Sequence, residues 1–339
     1  MRKILLILTS SAVFSGTPLE YTITLTGGYD NNVLRFSKDE FDDAANNPKL
    51  MGDARFFDSF VTKWNIKAKK SFILSKNKNL AINLSYTNSS YNQTPEKQYW
   101  SSGLDIIYKW GSYKNLKYSL RHLDDFYLRY YVDRDISTQS LSPCLFTDRN
   151  QSLTLTHKFS RNVWANIGGG YLQRYYSVPF TEFDIDINYL KVKVNYKIRK
   201  LGTVALQVNH GDAVSESHFL PERPSSFDRS YKTTEWYSPL RMNRKIPFFN
   251  EIGISARVED RVYAAEDPND PLHAGRSHLD VKYDLWFKKR LNEVVGINFS
   301  SRYRTRTTES GYEWVKDLKS FSQFQFWFNI EWDLIYDKY

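Results

Sequence analysis

Phe324-Gln325-Phe326-Trp327-Phe328-Asn329-Ile330-Glu331-Trp332-Asp333-Leu334-Ile335-Tyr336 alternates in character with a period of two. The even positions, from Phe324 to Tyr336, are all large and apolar. The odd positions include Gln325, Asn329, Glu331 and Asp333. A strand turns successive side chains to opposite faces, so this segment offers one face to an apolar solvent and the other to water. About ten residues are enough for a tilted strand to cross a bilayer. The sequence ends three residues later, on the aromatic Tyr339.

The rest of the chain has the matching composition. Aromatic residues make up 16%, with 24 Tyr, 22 Phe and 9 Trp, yet the mean hydropathy is −0.56. Beyond the N-terminus no apolar run approaches the roughly 20 residues of a membrane helix. Rings combined with low hydropathy are what a barrel produces, because half of each strand faces a polar lumen. The net charge is +9, but the basic residues are scattered and form no tract, which argues against a nucleic-acid partner. The single Cys144 excludes an internal disulfide and any paired-cysteine metal site.

A chain closing on such a strand resembles bacterial outer-membrane β-barrel proteins. That resemblance implies an all-β, antiparallel, up-and-down transmembrane barrel lying in outer-membrane lipid of a Gram-negative cell. It also implies a barrel-assembly machinery as partner during biogenesis. The stretch Gly27-Gly28-Tyr29-Asp30-Asn31-Asn32-Val33-Leu34-Arg35 resembles the opening strand-to-loop of several such families, among them the barrel domain of surface lipoprotein assembly modifiers.

Two segments are expected. Residues 1–16 carry Arg2 and Lys3, then Ile4 to Leu8, then small residues, the form of a secretory signal peptide, with cleavage near Ser15 or Gly16. Residues 17–339 form the barrel, with no separate plug before it. Alternating segments fall at 20–29, 60–72, 80–90, 98–110, 116–132, 150–159, 163–176, 187–198, 203–212, 231–240, 250–262, 277–288, 293–304 and 321–336, about fourteen strands. Short Asn-, Gly- and Ser-rich links alternate with long ones, as periplasmic turns alternate with outer loops. Pro239 inside segment 231–240 keeps a count of twelve open.

If the apolar register faces lipid, the other lines the lumen. Its pore-lining candidates are Arg129, Lys191, Lys193, Arg257, Glu259, Arg261, Asp280, Lys282, Asp284, Arg302, Arg304, Glu331 and Asp333. Lys67, Lys69, Asp105, Asp125, Lys158 and Arg174 share the register. Charges there require a wet or mutually paired interior. The last four strands predict a cross-strand ion-pair ladder: Arg257, Glu259 and Arg261 beside Asp280, Lys282 and Asp284, these beside Arg302 and Arg304, and Arg302 and Arg304 facing Glu331 and Asp333. Trp64, Trp100, Trp110, Trp236, Trp286 and Trp332 suit an interface girdle. Tyr127, Tyr131 and Tyr189 sit in the polar register, where they could stack on sugars.

Chemistry has fewer signals. His210 and Asp212 share a face, with Glu216 and His218 after them, but His210 falls in the apolar register and no activated nucleophile is identifiable. The acidic runs 39–43 and 266–270 match no defined calcium loop, and the histidines lack metal-ligand spacing. No catalytic residue, metal or cofactor is expected. Fourteen strands leave more interior than side chains fill easily. The expected function is therefore a porin-like channel for small hydrophilic solutes, favouring anions because basic candidates outnumber acidic ones. The alternatives are a non-conducting surface barrel closed by ion pairs and infolded loops, and an outer-membrane hydrolase.

Overall fold

A computed structural model describes residues 17–336 except 53, 134–135, 138–139, 217–226 and 244–247. The leader segment 1–16, His218 and the terminal Tyr339 lie outside the described residues. Fourteen antiparallel strands close into one barrel, each paired with its neighbours in sequence and the first with the last. They are β1 (Leu19–Asp30), β2 (Ser59–Ser75), β3 (Lys78–Tyr91), β4 (Tyr99–Gly111), β5 (Lys114–Val132), β6 (Leu141–Lys158) and β7 (Val163–Tyr176). The second half comprises β8 (Ile185–Ile198), β9 (Gly202–Val214), β10 (Tyr231–Met242), β11 (Glu251–Tyr263), β12 (Ser277–Arg290), β13 (Val295–Glu309) and β14 (Phe321–Tyr336). Two short helices, α1 (Lys38–Asn46) and α2 (Glu313–Lys319), lie in the β1–β2 and β13–β14 connections.

The alternation read from β14 decides which way every strand faces. Large apolar side chains such as Leu84, Leu153, Leu190, Leu206 and Phe328 stand on the outer wall, Leu190 at 71% exposure. Such a surface is costly in water and costs nothing in hydrocarbon. Small and polar groups in the alternate register of the strands, among them Ser119, Thr154, Asn195 and Ser255, are buried on the inner wall. A closed sheet leaves no unpaired edge, which is what a bilayer demands.

Pro239 does not reduce the strand count. β10 keeps an unbroken register with β11, including Pro239 opposite Ser255, while its pairing with β9 skips from Tyr237 to Leu240. The missing donor therefore falls on the β9 side, where the Ser238 hydroxyl donates to the Ala205 carbonyl at 3.1 Å. β6 is longer than its alternation predicts, because it begins at Leu141 rather than at residue 150. Register shifts beside Leu123 and Tyr127 of β5 break the period of two there. Asp125 is one of the displaced residues: it sits at φ 43° and is exposed.

Short links gather at one end of the barrel, at 76–77, 112–113, 159–162, 199–201 and 291–294. The long ones gather at the other, the loop end. The longest, residues 31–58, turns inward and docks across the mouth.

Candidate functional site

Docking begins at the last residue of β1. Asp30 is 1% exposed, and its carboxylate accepts from the Gln323 side chain at 2.9 Å, the Gln325 side chain at 2.7 Å and the Asn32 backbone at 3.1 Å. Asn32 then clamps a tight turn: it accepts from Phe36 N at 2.8 Å and donates to the carbonyls of Phe36 and Ser322. Within that turn Arg35 is held at φ 56°, a left-handed conformation that costs a residue with a Cβ roughly 1–2 kcal/mol.

Ser37 and Glu40 form a reciprocal capping box that starts α1. The Glu40 carboxylate also pairs with Arg129 of β5 at 2.7 Å. Phe36, Phe41 and Phe57 pack edge to face. With Val33, Leu34, Met51 and Ala54 they form an apolar core against Val61, Tyr91 and Tyr127 of the barrel wall. Lys97, between β3 and β4, donates to the Val33 carbonyl at 3.0 Å. α2 lies against α1 and buries Val315. The mouth is thus crossed by a small folded unit.

Arg129 meets the docked unit itself; the other pore-lining candidates, on β8 and β11–β14, alternate with the exposed apolar side chains of the outer wall, but their partners differ from the predicted ladder. Arg302 lies opposite Gln325 and Arg304 opposite Gln323, not opposite Glu331 or Asp333. Glu331 and Asp333 lie toward the turn end, where Asp333 pairs with Arg290 at 2.5 Å and accepts from Thr22. Between β11 and β12 like charges face each other, Arg257 opposite Lys282 and Glu259 opposite Asp280. Relief comes from other directions: Arg257 to Glu235 at 3.2 Å, Arg261 to Glu259 at 2.8 Å and Lys282 to Asp280 at 3.5 Å. Only the β12–β13 rungs hold as read, with Asp284 to Arg302 at 2.6 Å and Asp280 to Arg304. Asp280 also takes Arg306 at 2.9 Å, so three cations share one buried carboxylate.

Lys191 and Lys193 on β8 have no ion-pair partner among the described residues; Lys193 lies 5.7 Å from the Tyr237 ring. A cavity of about 310 Å³ opens on the inner wall of β10–β14, lined by Arg241, Lys288 and Arg302 with Glu251, Asp284 and Trp286. Trp286 is therefore a lumen residue, not part of the girdle. It lies flat over Gly253, where a Cβ would come within 2.0 Å of the ring, and donates to Glu251 at 2.7 Å. Trp327 does the same over Gly28, with the Lys63 ammonium 4.1 Å from its ring. A larger hollow of about 510 Å³ is lined by Leu84, Leu104, His122 and Tyr171 of the outer wall and is not part of the lumen.

None of the three tyrosines is a free stacking platform. Tyr127 is fully buried under the docked segment, Tyr131 packs on Phe180 and Phe183, and Tyr189 donates to Asn150. His210 meets Thr234 on the outer face at 3.1 Å. Of the acidic runs, 39–43 became the start of α1, and Asp270 is taken by His273 at 2.7 Å. Burial, only partly offset by that bond, holds His273 down at about 4. The helix of the docked unit has a signature in the sequence, Ser37 followed three residues on by Glu40.

Docking is expected to respond to pH through Lys97. Burial, reinforced by the charge of Arg35, lowers its ammonium to about 7. Lys319 of α2 is lowered to about 7 by burial and by Arg129; it is half-buried, so Lys97, at 4% exposure, is the stronger contributor. An undocked lysine near 10.5 binds protons that the docked one refuses between about pH 7 and 10.5, so docking strengthens as pH rises through that window. Hydrogen exchange of residues 33–52, corrected for intrinsic rates, is expected to be better protected at about pH 9 than at about pH 6. Equal protection would contradict this account.

No protein-family model and no curated protein matches the chain. Solved structures do. The outer membrane protein OpdK from Pseudomonas aeruginosa superposes with a TM-score of 0.45 at 8% identity, over 93% of this chain and 99% of that one. OccAB4 of Acinetobacter baumannii gives 0.45 at 11%, over 94% and 99%. A loop-deleted OmpT, an outer membrane protein of Vibrio cholerae, gives 0.46 at 6%, over 93% and 99%. At identities of 6–11% and TM-scores below 0.5 these similarities establish no family.

Proposed function

We propose that the protein is a selective channel of the outer membrane that passes small hydrophilic solutes and favours anions. The observation that carries this reading is the charged inner wall around the 310 Å³ cavity, with Lys191 and Lys193 unpaired among the described residues. Rings of fixed charge select ions by sign, and unpaired lysines bias the lumen toward anions. The docked segment 31–58 makes the mouth narrow, which suits a substrate-selective pore rather than a general one. Outer-membrane lipid and, during biogenesis, a barrel-assembly machinery are the partners this reading implies. His210 on the outer face lends no support to a hydrolase.

Planar-bilayer recording of the purified protein tests it. Discrete conductance steps are expected, with a reversal potential under a salt gradient that reports anion preference. Absence of steps at every voltage would overturn the channel reading. A second reading, a closed surface barrel, is favoured by the apolar core of the docked segment, and such a silent bilayer would support it.

A further inference from the structure

Beneath the docked segment, cations outnumber the carboxylates that face them. Arg35 and Lys97 come from the connections, Arg129 from β5, Arg276 from just before β12, Arg304 and Arg306 from β13, and Lys319 from the end of α2. The facing carboxylates are Asp30, Glu40 and Asp280, and each is already engaged: Asp30 by the Gln323 and Gln325 amides, Glu40 by Arg129, Asp280 by Arg304, Arg306 and Lys282. Around them, Arg261 is paired with Glu259 and His273 with Asp270. Arg229 adds a further cation, donating to the carbonyls of Glu182 and Phe227, while His278 meets Thr308.

No carboxylate among the described residues lies within ion-pair distance of Arg35, Lys97, Arg276 or Lys319. Arg276 is 5% exposed, its guanidinium 3.9 Å from the Tyr263 ring, and its Nε has no hydrogen-bond partner. The Nε of Arg35 is buried and likewise unpartnered. These groups act on one another. Arg129 and Lys319 share the Tyr131 ring, at 5.2 and 5.8 Å, and Arg304 and Arg306 share the Phe321 ring, at 5.1 and 5.3 Å. Arg35 is lowered to about 10 by burial and then by Arg304 and Arg306, which Asp30 and Asp280 only partly offset, and Lys319 feels Arg129, Arg276 and Arg306 against Glu40. Buried like charges with too few counter-charges are costly, and an added anion offsets their repulsion. Guanidinium forks match carboxylate and phosphate oxygens in geometry. The left-handed backbone of Arg35, pinned by Asn32, is the kind of strain that persists where a side chain is held for a ligand.

We propose that Arg35, Arg276, Arg306 and Lys319 form a site at the mouth for a small solute carrying at least two negative charges on carboxylate or phosphate oxygens. The site goes beyond the channel reading, since it captures its anion whether or not the lumen conducts.

Calorimetric titration of the full-length protein in detergent micelles with citrate, with inorganic phosphate and with glycerol tests it. Saturable binding of citrate or phosphate, and none of glycerol, is expected; which anion binds more tightly separates carboxylate from phosphate recognition. Arg276→Gln and Lys319→Gln should each weaken binding about tenfold or more, and Lys319→Arg should retain it. Without anion, the thermal midpoints of both glutamine variants should equal or exceed that of the unsubstituted protein, because like-charge repulsion is relieved. No saturable binding to the unsubstituted protein overturns the site, a result that needs no variant to fold. So do unchanged affinity in both glutamine variants and anion-free midpoints that fall in both. Saturable binding with a silent bilayer refutes the channel and leaves this site standing; conductance without saturable binding does the reverse.

Discussion

Replacing residues 36–56 by a short Gly-Ser linker is expected to raise single-channel conductance by about an order of magnitude, given the open bore that so many strands enclose. The segment contributes nothing to closing the wall, because β1 and β2 keep their register from Leu19 opposite Lys70 to Asp30 opposite Ser59 without it. What it does contribute is bulk across the mouth: Phe36, Phe41, Leu50 and Met51 packed with Val61, Tyr91 and Tyr127. Removal also releases the Glu40–Arg129 pair. Unchanged conductance in the shortened protein would mean that the restriction lies elsewhere, at the level of Trp286 and Trp327.

The second large effect falls on Asp280. Its side chain is 2% exposed and holds Arg304, Arg306 and Lys282. Asp280→Asn keeps the shape and removes the charge, leaving three inner-wall cations to repel one another. Breaking a buried pair in this way costs about 3–5 kcal/mol. Urea unfolding in lipid vesicles should report that loss, together with a lower temperature for heat-induced mobility change on gels. Asp333→Asn is the contrast. Its pair with Arg290 is 41% and 40% exposed, so its removal should cost about 0–1 kcal/mol. Equal effects at the two positions would show that burial does not set the strength of these pairs.

The wall was legible because its code is local. In β14, β12 and β8, lipid on one side and water on the other write a period of two directly into the residues, and all fourteen strands were found. What lies between strands was legible only in part, because sequence gives the face of a residue but not its height. Glu331 and Asp333 share the inner face with Arg302 and Arg304, yet antiparallel register sets them near opposite ends of the barrel. The upper half of β6 was missed for another reason: the irregular pairing of β5 disturbs the alternation of its partner. Trp286 reads like any other ring near a strand end, and only Gly253 beside it, leaving room for a flat indole, marks it as interior. Lys97, Arg35, Arg276, Arg306 and Lys319 come from separate connections and strand ends, and nothing short of the folded mouth brings them together.

Asp30 joins two events that a chain synthesised from one end experiences far apart in time. Its carboxylate waits for Gln323 and Gln325, nearly three hundred positions later, and the Asn32 clamp beside it needs the carbonyl of Ser322. Asn31 exchanges two further bonds with Phe324, from its own backbone and to its side chain. The turn closes locally through Asn32 and Phe36, but its anchorage to the wall waits for the final strand to pair with the first. The bonds that fix residues 30–32 to the last strand are thus made only when the circumference closes, which ties the root of the first long loop to closure of the barrel.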